Sequence, residues 1–152
     1  MEYKIEEREE PLQTVLFIGT TCKATEIGPT LGQLYGEIGR YIGQNGAKTV
    51  GPPFCRYTAM HGDTWDLEGG IAIAEPIPVS GRIQSGQLGG HVACTLHTGP
   101  YDRLGAAHEA LGAWAEAQGK TIAGAPWDLY ITDPGELPDP ETWQTMVYLP
   151  IA

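Results

Sequence analysis

Apolar positions along this chain follow two periods in turn, and the whole alternation occurs twice. Leu31, Leu34, Ile38, Tyr41 and Ile42 keep the i, i+3, i+4 spacing, and so do Leu104, Ala107, Leu111, Trp114 and Ala115, which is the pattern of a helix with one apolar face. Gly28-Pro29 and Gly99-Pro100 put a proline near each first helical position, where its missing N–H costs little. Gly46 and Gly119 stand where a left-handed residue closes a helix. Together these signals predict helices over about 29–45 and 100–118.

Period-two runs flank both helices. "TVLFIG" (Thr14 to Gly19) and "HVACTLH" (His91 to His97) predict a strand before each one. After the first helix "FCRYTAM" turns at His61-Gly62-Asp63-Thr64 into "WDLEGGIAIA"; after the second, "WDLYIT" passes through the Pro-rich "DPGELPDPE" into "WQTMVYLPI". In that last strand Trp143, Thr145, Val147 and Leu149 face one side, and Gln144, Met146 and Tyr148 the other. Asp66 and Glu68 alternate on a strand and read as a solvated edge. Residues 75–90, "EPIPVSGRIQSGQLGG", have the composition of a connector, with the following strand open to an earlier start at Gln84 or Gln87.

Sliding the sequence by 73 residues, the separation of Leu31 and Leu104, aligns Leu31–Tyr57 with Leu104–Tyr130 without a gap. Leu31-Gly32 meets Leu104-Gly105, Tyr41 meets Trp114, Gly46 meets Gly119, Pro53 meets Pro126 and Tyr57 meets Tyr130. A unit of strand, helix, strand, strand is therefore used twice, about 11–76 and 87–151. A helix with one apolar face lies against a sheet. The expected fold class is α+β, one domain over 1–152, with two pseudo-twofold-related repeats forming antiparallel sheet, two helices packed on one side, and a central ligand groove at the seam. Gly32, Gly36, Gly39 and Gly43 form a narrow stripe beside the apolar face of the first helix. That stripe predicts close backbone approach by the sheet, by the other helix or by a dimer partner.

Charge narrows the function. Nine Lys and Arg against nineteen Asp and Glu give a net charge of −10, which opposes nucleic-acid binding and favours encounter with cations. Cys22, Cys55 and Cys94 are odd in number and form no CxxC pair, so they read as reduced thiols of a cytoplasmic protein rather than as a disulfide or zinc framework. "MEYKIEEREE" lacks the apolar core of a secretory signal, and no apolar run approaches the roughly 20 residues of a membrane span. His61, His91, His97 and His108 are scattered without metal-ligand spacing. Ser80 and Ser85 lie outside any GxSxG context, against a serine hydrolase.

One carboxylate stands out. In "GAPWDLYITDP" Asp128 lies between Trp127 and Tyr130, whereas the aligned stretch "GPPFCRY" has Cys55 in its place. Strand alternation puts Asp128 on one face with Tyr130, and Cys55 on one face with Tyr57. An acid among aromatics suits a lipophilic cation, since ring faces attract positive charge. The alternative is a solvated or strand-bonded acid. The tolerance of Cys55 in the other repeat argues for function, because the fold does not itself demand the acid.

The doubled unit, "HTGPYDRLGAAHEALGAWAEAQG" and the ending "PWDLYITDPGELPDPETWQTMVYLPI" resemble the gyrase-inhibitor-like (GyrI-like) domain, also called the AraC-type effector-binding domain. The resemblance covers nearly the whole chain and is strongest from His97 to Ile151. It implies a ligand-binding module that takes diverse, often cationic and aromatic, compounds through a buried acid and surrounding aromatics. With no room for a helix-turn-helix, the chain resembles a stand-alone member. The family's acid-x-Tyr motif maps onto Asp128 and Tyr130, with aspartate where most members carry glutamate.

The expected ligand-binding residues are Asp128 and Tyr130 from that motif, with Tyr57, Trp127 and Tyr148 added by the repeat and by strand alternation as stacking surface. The expected partners are lipophilic cationic or aromatic small molecules, with a protein partner left open, and without direct nucleic-acid binding, membrane, cofactor or metal, in a monomer or homodimer. Two alternatives come with the resemblance. One is a hydrolase of reactive cyclopropane-containing natural products, with Asp128 as general base and Tyr130 or Tyr57 as orienting donors. The other is an acidic protein that binds and inhibits DNA gyrase.

Overall fold

The computed structural model describes residues 2–152, among which the elements run β1 (Glu6–Lys23), α1 (Ile27–Gln44), β2 (Phe54–His61), β3 (Thr64–Ala72), β4 (Gln84–Thr98), α2 (Leu104–Ala117), β5 (Trp127–Tyr130) and β6 (Gln144–Pro150). Short 3-10 turns, Ala24–Glu26 and Tyr101–Arg103, lead into the two helices. The class is α+β with antiparallel strand pairing, as expected. The chain divides into two units: Leu12–Leu88, and the stretch up to Pro11 together with Gly89–Ala152.

In the unit of Leu12–Leu88, β3 lies between β1 and β2, with Ile18 opposite Gly69 on one side and Cys55 opposite Gly69 on the other. A register shift between Tyr57 and Ala59 marks a bulge in β2. Because β3 is central, Asp66 and Glu68 do not sit on a free edge. Asp66 accepts from Thr21 Oγ1 at 2.6 Å and meets His61 Nε2 at 3.0 Å, and Glu68 accepts from Arg56 Nε at 2.7 Å. The edge reading fails because polar alternation on a central strand can be satisfied across the ladder as well as by water.

Helix α1 buries Leu31, Leu34, Ile38 and Ile42. The close approach expected at its glycine stripe occurs instead on the sheet. A Cβ at Gly69 would lie 2.9 Å from Leu31 Cδ2 and 3.1 Å from Leu34 Cδ1, so the bare strand position admits the helix. At Gly32, Gly39 and Gly43 an added Cβ would meet no atom within 4 Å, and at Gly36 only the Arg40 guanidinium at 3.7 Å. The stripe is rotated off the buried face and points outward.

In the other unit β6 lies between β4 and β5, from Val92 opposite Pro150 to Thr98 opposite Gln144, and from Trp127 opposite Tyr148 to Tyr130 opposite Thr145. Helix α2 packs Leu104, Ala107, Leu111 and Ala115 against Ala93, Val147, Leu149 and Ile151. Both helices end as the glycines predict: Gly46 has φ 64° and Gly119 φ 69°. The turns are closed by Ala47 N–H donating to Ile42 O at 3.1 Å and Lys120 N–H to Ala115 O at 2.8 Å.

Two strands are longer than their apolar runs. β1 begins at Glu6 and β4 at Gln84, the earlier start left open for β4. The acidic stretch carries no apolar alternation, and its side chains are tied to β4, where His91 Nε2 meets Glu7 at 2.7 Å and its Nδ1 meets Glu9 at 2.8 Å. Among the described residues no helix is long and apolar enough to cross a membrane.

Candidate functional site

Residues paired across an antiparallel sheet share a face. On β4, β6 and β5, Thr95, Val147 and Asp128 therefore form one row, and His97, Thr145 and Tyr130 form the next. This is the face under α2, since Val147 and Leu149 pack with Leu104 and Leu111, and Tyr130 borders that cluster. Four members of the two rows are polar and withdrawn from water: Asp128, His97 and Thr145 are 0% exposed and Thr95 2%.

A buried polar group must be hydrogen-bonded or it costs stability. Asp128 Oδ1 lies 2.8 Å from His108 Nε2, which reaches down from α2. A carboxylate accepts, so Nε2 carries the hydrogen. The His108 side chain is 27% exposed over a fully buried acid. His97 is held at both nitrogens, by Tyr3 Oη at 2.8 Å and Pro100 O at 3.1 Å. A carbonyl only accepts, so in the neutral ring Nε2 donates to Pro100 and Nδ1 accepts from Tyr3. Thr95 Oγ1 donates to Lys4 O at 2.8 Å. Thr145 Oγ1 has no hydrogen-bond partner among the described residues.

Aromatic rings adjoin this polar patch. Tyr101, from the 3-10 turn ahead of α2, lies 5.3 Å from the Tyr130 ring and 4.7 Å from the Trp143 ring. Burial pushes the Tyr101 phenol up, with Asp133 adding to the effect, so the hydroxyl stays protonated. Trp143 is anchored by its indole N–H to Leu137 O at 2.7 Å.

On the opposite face of the same sheet Trp127 and Tyr148 stack, centroids 4.9 Å apart and planes within 14°. Cys94 pairs with Tyr148 there. Burial pushes the Tyr148 phenol up to about 12 and raises the Cys94 thiol. Of the five ligand-binding residues expected from sequence, Asp128 and Tyr130 thus come together under α2, while Trp127 and Tyr148 come together on the other face. Tyr57 belongs to the other unit, edge-on to Trp65 at 5.5 Å.

The other unit supplies an internal comparison. Its corresponding rows are Ile18, Gly69 and Cys55, then Thr20, Leu67 and Tyr57. Where one unit has Thr95, Asp128 and Thr145, the other has Ile18, Cys55 and Leu67. His108 aligns with Tyr35, whose hydroxyl donates to Phe54 O at 2.7 Å. His108 and Asp128 thus change together relative to Tyr35 and Cys55, a signal of their pairing already present in the repeat alignment. His108, Thr145 and Tyr101 stand in or beside this buried polar patch, and sequence reasoning did not single them out. Among the described residues no group of three or more His, Cys, Asp or Glu side chains could hold a metal ion.

The sequence pattern described as the GyrI-like small molecule binding domain matches residues 1–152. Comparison with curated protein sequences gives no match. Among solved structures the chain is similar to the EcmrR C-terminal domain, with a TM-score of 0.85 at 21% identity, covering 100% of this chain and 99% of that one. It spans 57% of the EcmrR chain seen in a complex with DNA, with a TM-score of 0.86 at 21% identity over 98% of this chain. A hydrolase from Listeria innocua has a TM-score of 0.69 at 15% identity, covering 98% of this chain and 92% of that one. SAV2435, solved bound to tetraphenylphosphonium, has a TM-score of 0.63 at 12% identity, covering 100% and 94%. At these identities the likeness shows the fold.

Proposed function

The chain belongs to the GyrI-like small molecule binding domain family, and on that footing we propose that its ligands are amphipathic aromatic cations, bound or sequestered unchanged. The observation that carries this reading is Asp128, a carboxylate with 0% exposure on a sheet face that also presents Tyr130, beside the rings of Tyr101 and Trp143. A carboxylate is costly to bury even when it is hydrogen-bonded, as this one is to His108, and the other repeat builds the same fold with Cys55 instead. A cation seated on the aromatic rings recovers that cost through charge pairing and ring-face attraction, the latter about 0.5–2 kcal/mol per ring. SAV2435, with which this chain shares its fold, is seen holding such a cation.

In this reading Asp128 supplies the charge and Tyr130 the ring surface. Trp127 and Tyr148, stacked on each other on the far face, serve packing. Titration of the wild-type protein and Asp128→Asn with tetraphenylphosphonium tests it. The amide keeps an acceptor for His108, so the fold is preserved while the charge is lost. Affinity should fall at least about tenfold. Equal binding by the two proteins would make Asp128 a structural acid.

A second reading has one observation in its favour. Asp128 hydrogen-bonded to His108 is the kind of pair that orients a proton acceptor, which suits hydrolysis of strained, reactive cyclopropane-containing compounds. Mass analysis of compounds recovered after incubation separates the two, since a binding protein returns its ligand unchanged.

A further inference from the structure

Thr145 is the residue of this face that neither packing nor the charge of Asp128 explains. Its hydroxyl is buried, its side chain is 0% exposed, and no described group hydrogen-bonds it. Leaving a hydroxyl so placed costs about 1–3 kcal/mol. The other unit shows that the position does not need it. There the equivalent central-strand residue, opposite Tyr57 as Thr145 is opposite Tyr130, is Leu67, buried and apolar.

The neighbours explain why the hydroxyl has no partner and which way a partner would come. His97 flanks Thr145 on β4, and both ring nitrogens of His97 are engaged by Tyr3 and Pro100. Tyr130 flanks it on β5, only partly buried, with Tyr101 and Trp143 next in line. Side chains directly opposite across strands sit about 4.5–5.5 Å apart at Cβ. Tyr130 is thus the partly exposed neighbour of Thr145, and the side from which a ring packed on it would approach the hydroxyl.

We propose that Thr145 Oγ1 is a ligand-recognition group, so that the site selects aromatic cations carrying a neutral hydrogen-bonding substituent, a hydroxyl, carbonyl or amide, on the ring that meets Tyr130. The inference rests on the cation-binding reading above and adds a polar subsite to it. The acid selects for charge, and the threonine discriminates among cations of equal charge and size. A site with a hydrogen-bonding group held ready rejects analogues that leave it unpaired.

Matched probes test this: tetraphenylphosphonium against the ortho, meta and para isomers of (hydroxymethylphenyl)triphenylphosphonium, which keep the charge and rings and add one alcohol. Each is titrated into wild-type protein, Thr145→Val and Thr145→Ser. At least one isomer should bind wild type about fivefold more tightly than the parent cation. The advantage over the parent cation, measured within each protein, should vanish in Thr145→Val and persist in Thr145→Ser. The unliganded valine variant should be at least as heat-stable as wild type.

The subsite is overturned alone if the parent cation binds through Asp128 but no isomer gains, or if the gain survives Thr145→Val. It is also overturned if the unliganded valine variant melts clearly lower than wild type, which would make the hydroxyl a structural hydrogen-bonding group. If no phosphonium binds wild type, the cation reading and the subsite fall together.

Discussion

At the scale of single residues the informative contrast is Asp128 with His108 against Cys55 with Tyr35. The two pairs occupy matching positions, a strand residue under a helix residue, yet one is an acid hydrogen-bonded to a histidine and the other is a thiol near a tyrosine that reaches Phe54 O. Removing the histidine leaves the buried acid short of a hydrogen bond, at a cost of about 1–3 kcal/mol. His108→Leu is therefore expected to lower stability by that amount in denaturant titration. Installing the other unit's pair, Asp128→Cys with His108→Tyr, should recover most of the loss while abolishing tetraphenylphosphonium binding. A double variant as unstable as the single one would show that the pair holds this unit together for reasons its counterpart does not share. The acid was legible from the repeat because aspartate faced cysteine in an otherwise matched strand. Its partner was legible only in principle: His108 lies twenty residues away on a helix face, and only the joint departure at both aligned positions ties the two.

At the scale of elements both helices, their glycine ends and the hairpin of β2 and β3 were legible, because periodicity and turn residues act locally. The full lengths of β1 and β4 were not. Glu6 to Glu10 carry no apolar alternation, and their side chains are held by His91 and by Arg8. The glycine stripe of α1 shows the same limit from the other side. Its spacing is visible in sequence, but whether anything packs on it depends on how the helix is rotated. Since an added methyl would meet nothing at Gly32 or Gly39, and neither has positive φ, alanine there should gain helix propensity without strain. Each of Gly32→Ala and Gly39→Ala is expected to add about 0.5–1 kcal/mol, roughly 2–4 °C in the melting midpoint for each kcal/mol gained at this chain length. A fall in stability in either variant would mean that a neighbour occupies the stripe in solution.

At the scale of the whole molecule the proposed cation binding would draw separable contributions from the net charge of −10 and from the carboxylate buried at Asp128. The surface field acts over a Debye length, about 30 Å at 0.01 M salt and 3 Å at 1 M, so it governs encounter and is screened away. Asp128, withdrawn from solvent, is screened far less, so on the proposed reading it would govern how long the ligand stays. The association rate of tetraphenylphosphonium should therefore drop severalfold between these salt concentrations while its dissociation rate changes little. Asp128→Asn should do the reverse, speeding dissociation and leaving the salt dependence of association almost intact. Stopped-flow measurement of both rates decides the matter. If salt accelerates dissociation as strongly as the Asn substitution does, the cation is held by the acidic surface, and the carboxylate under α2 is not where it binds.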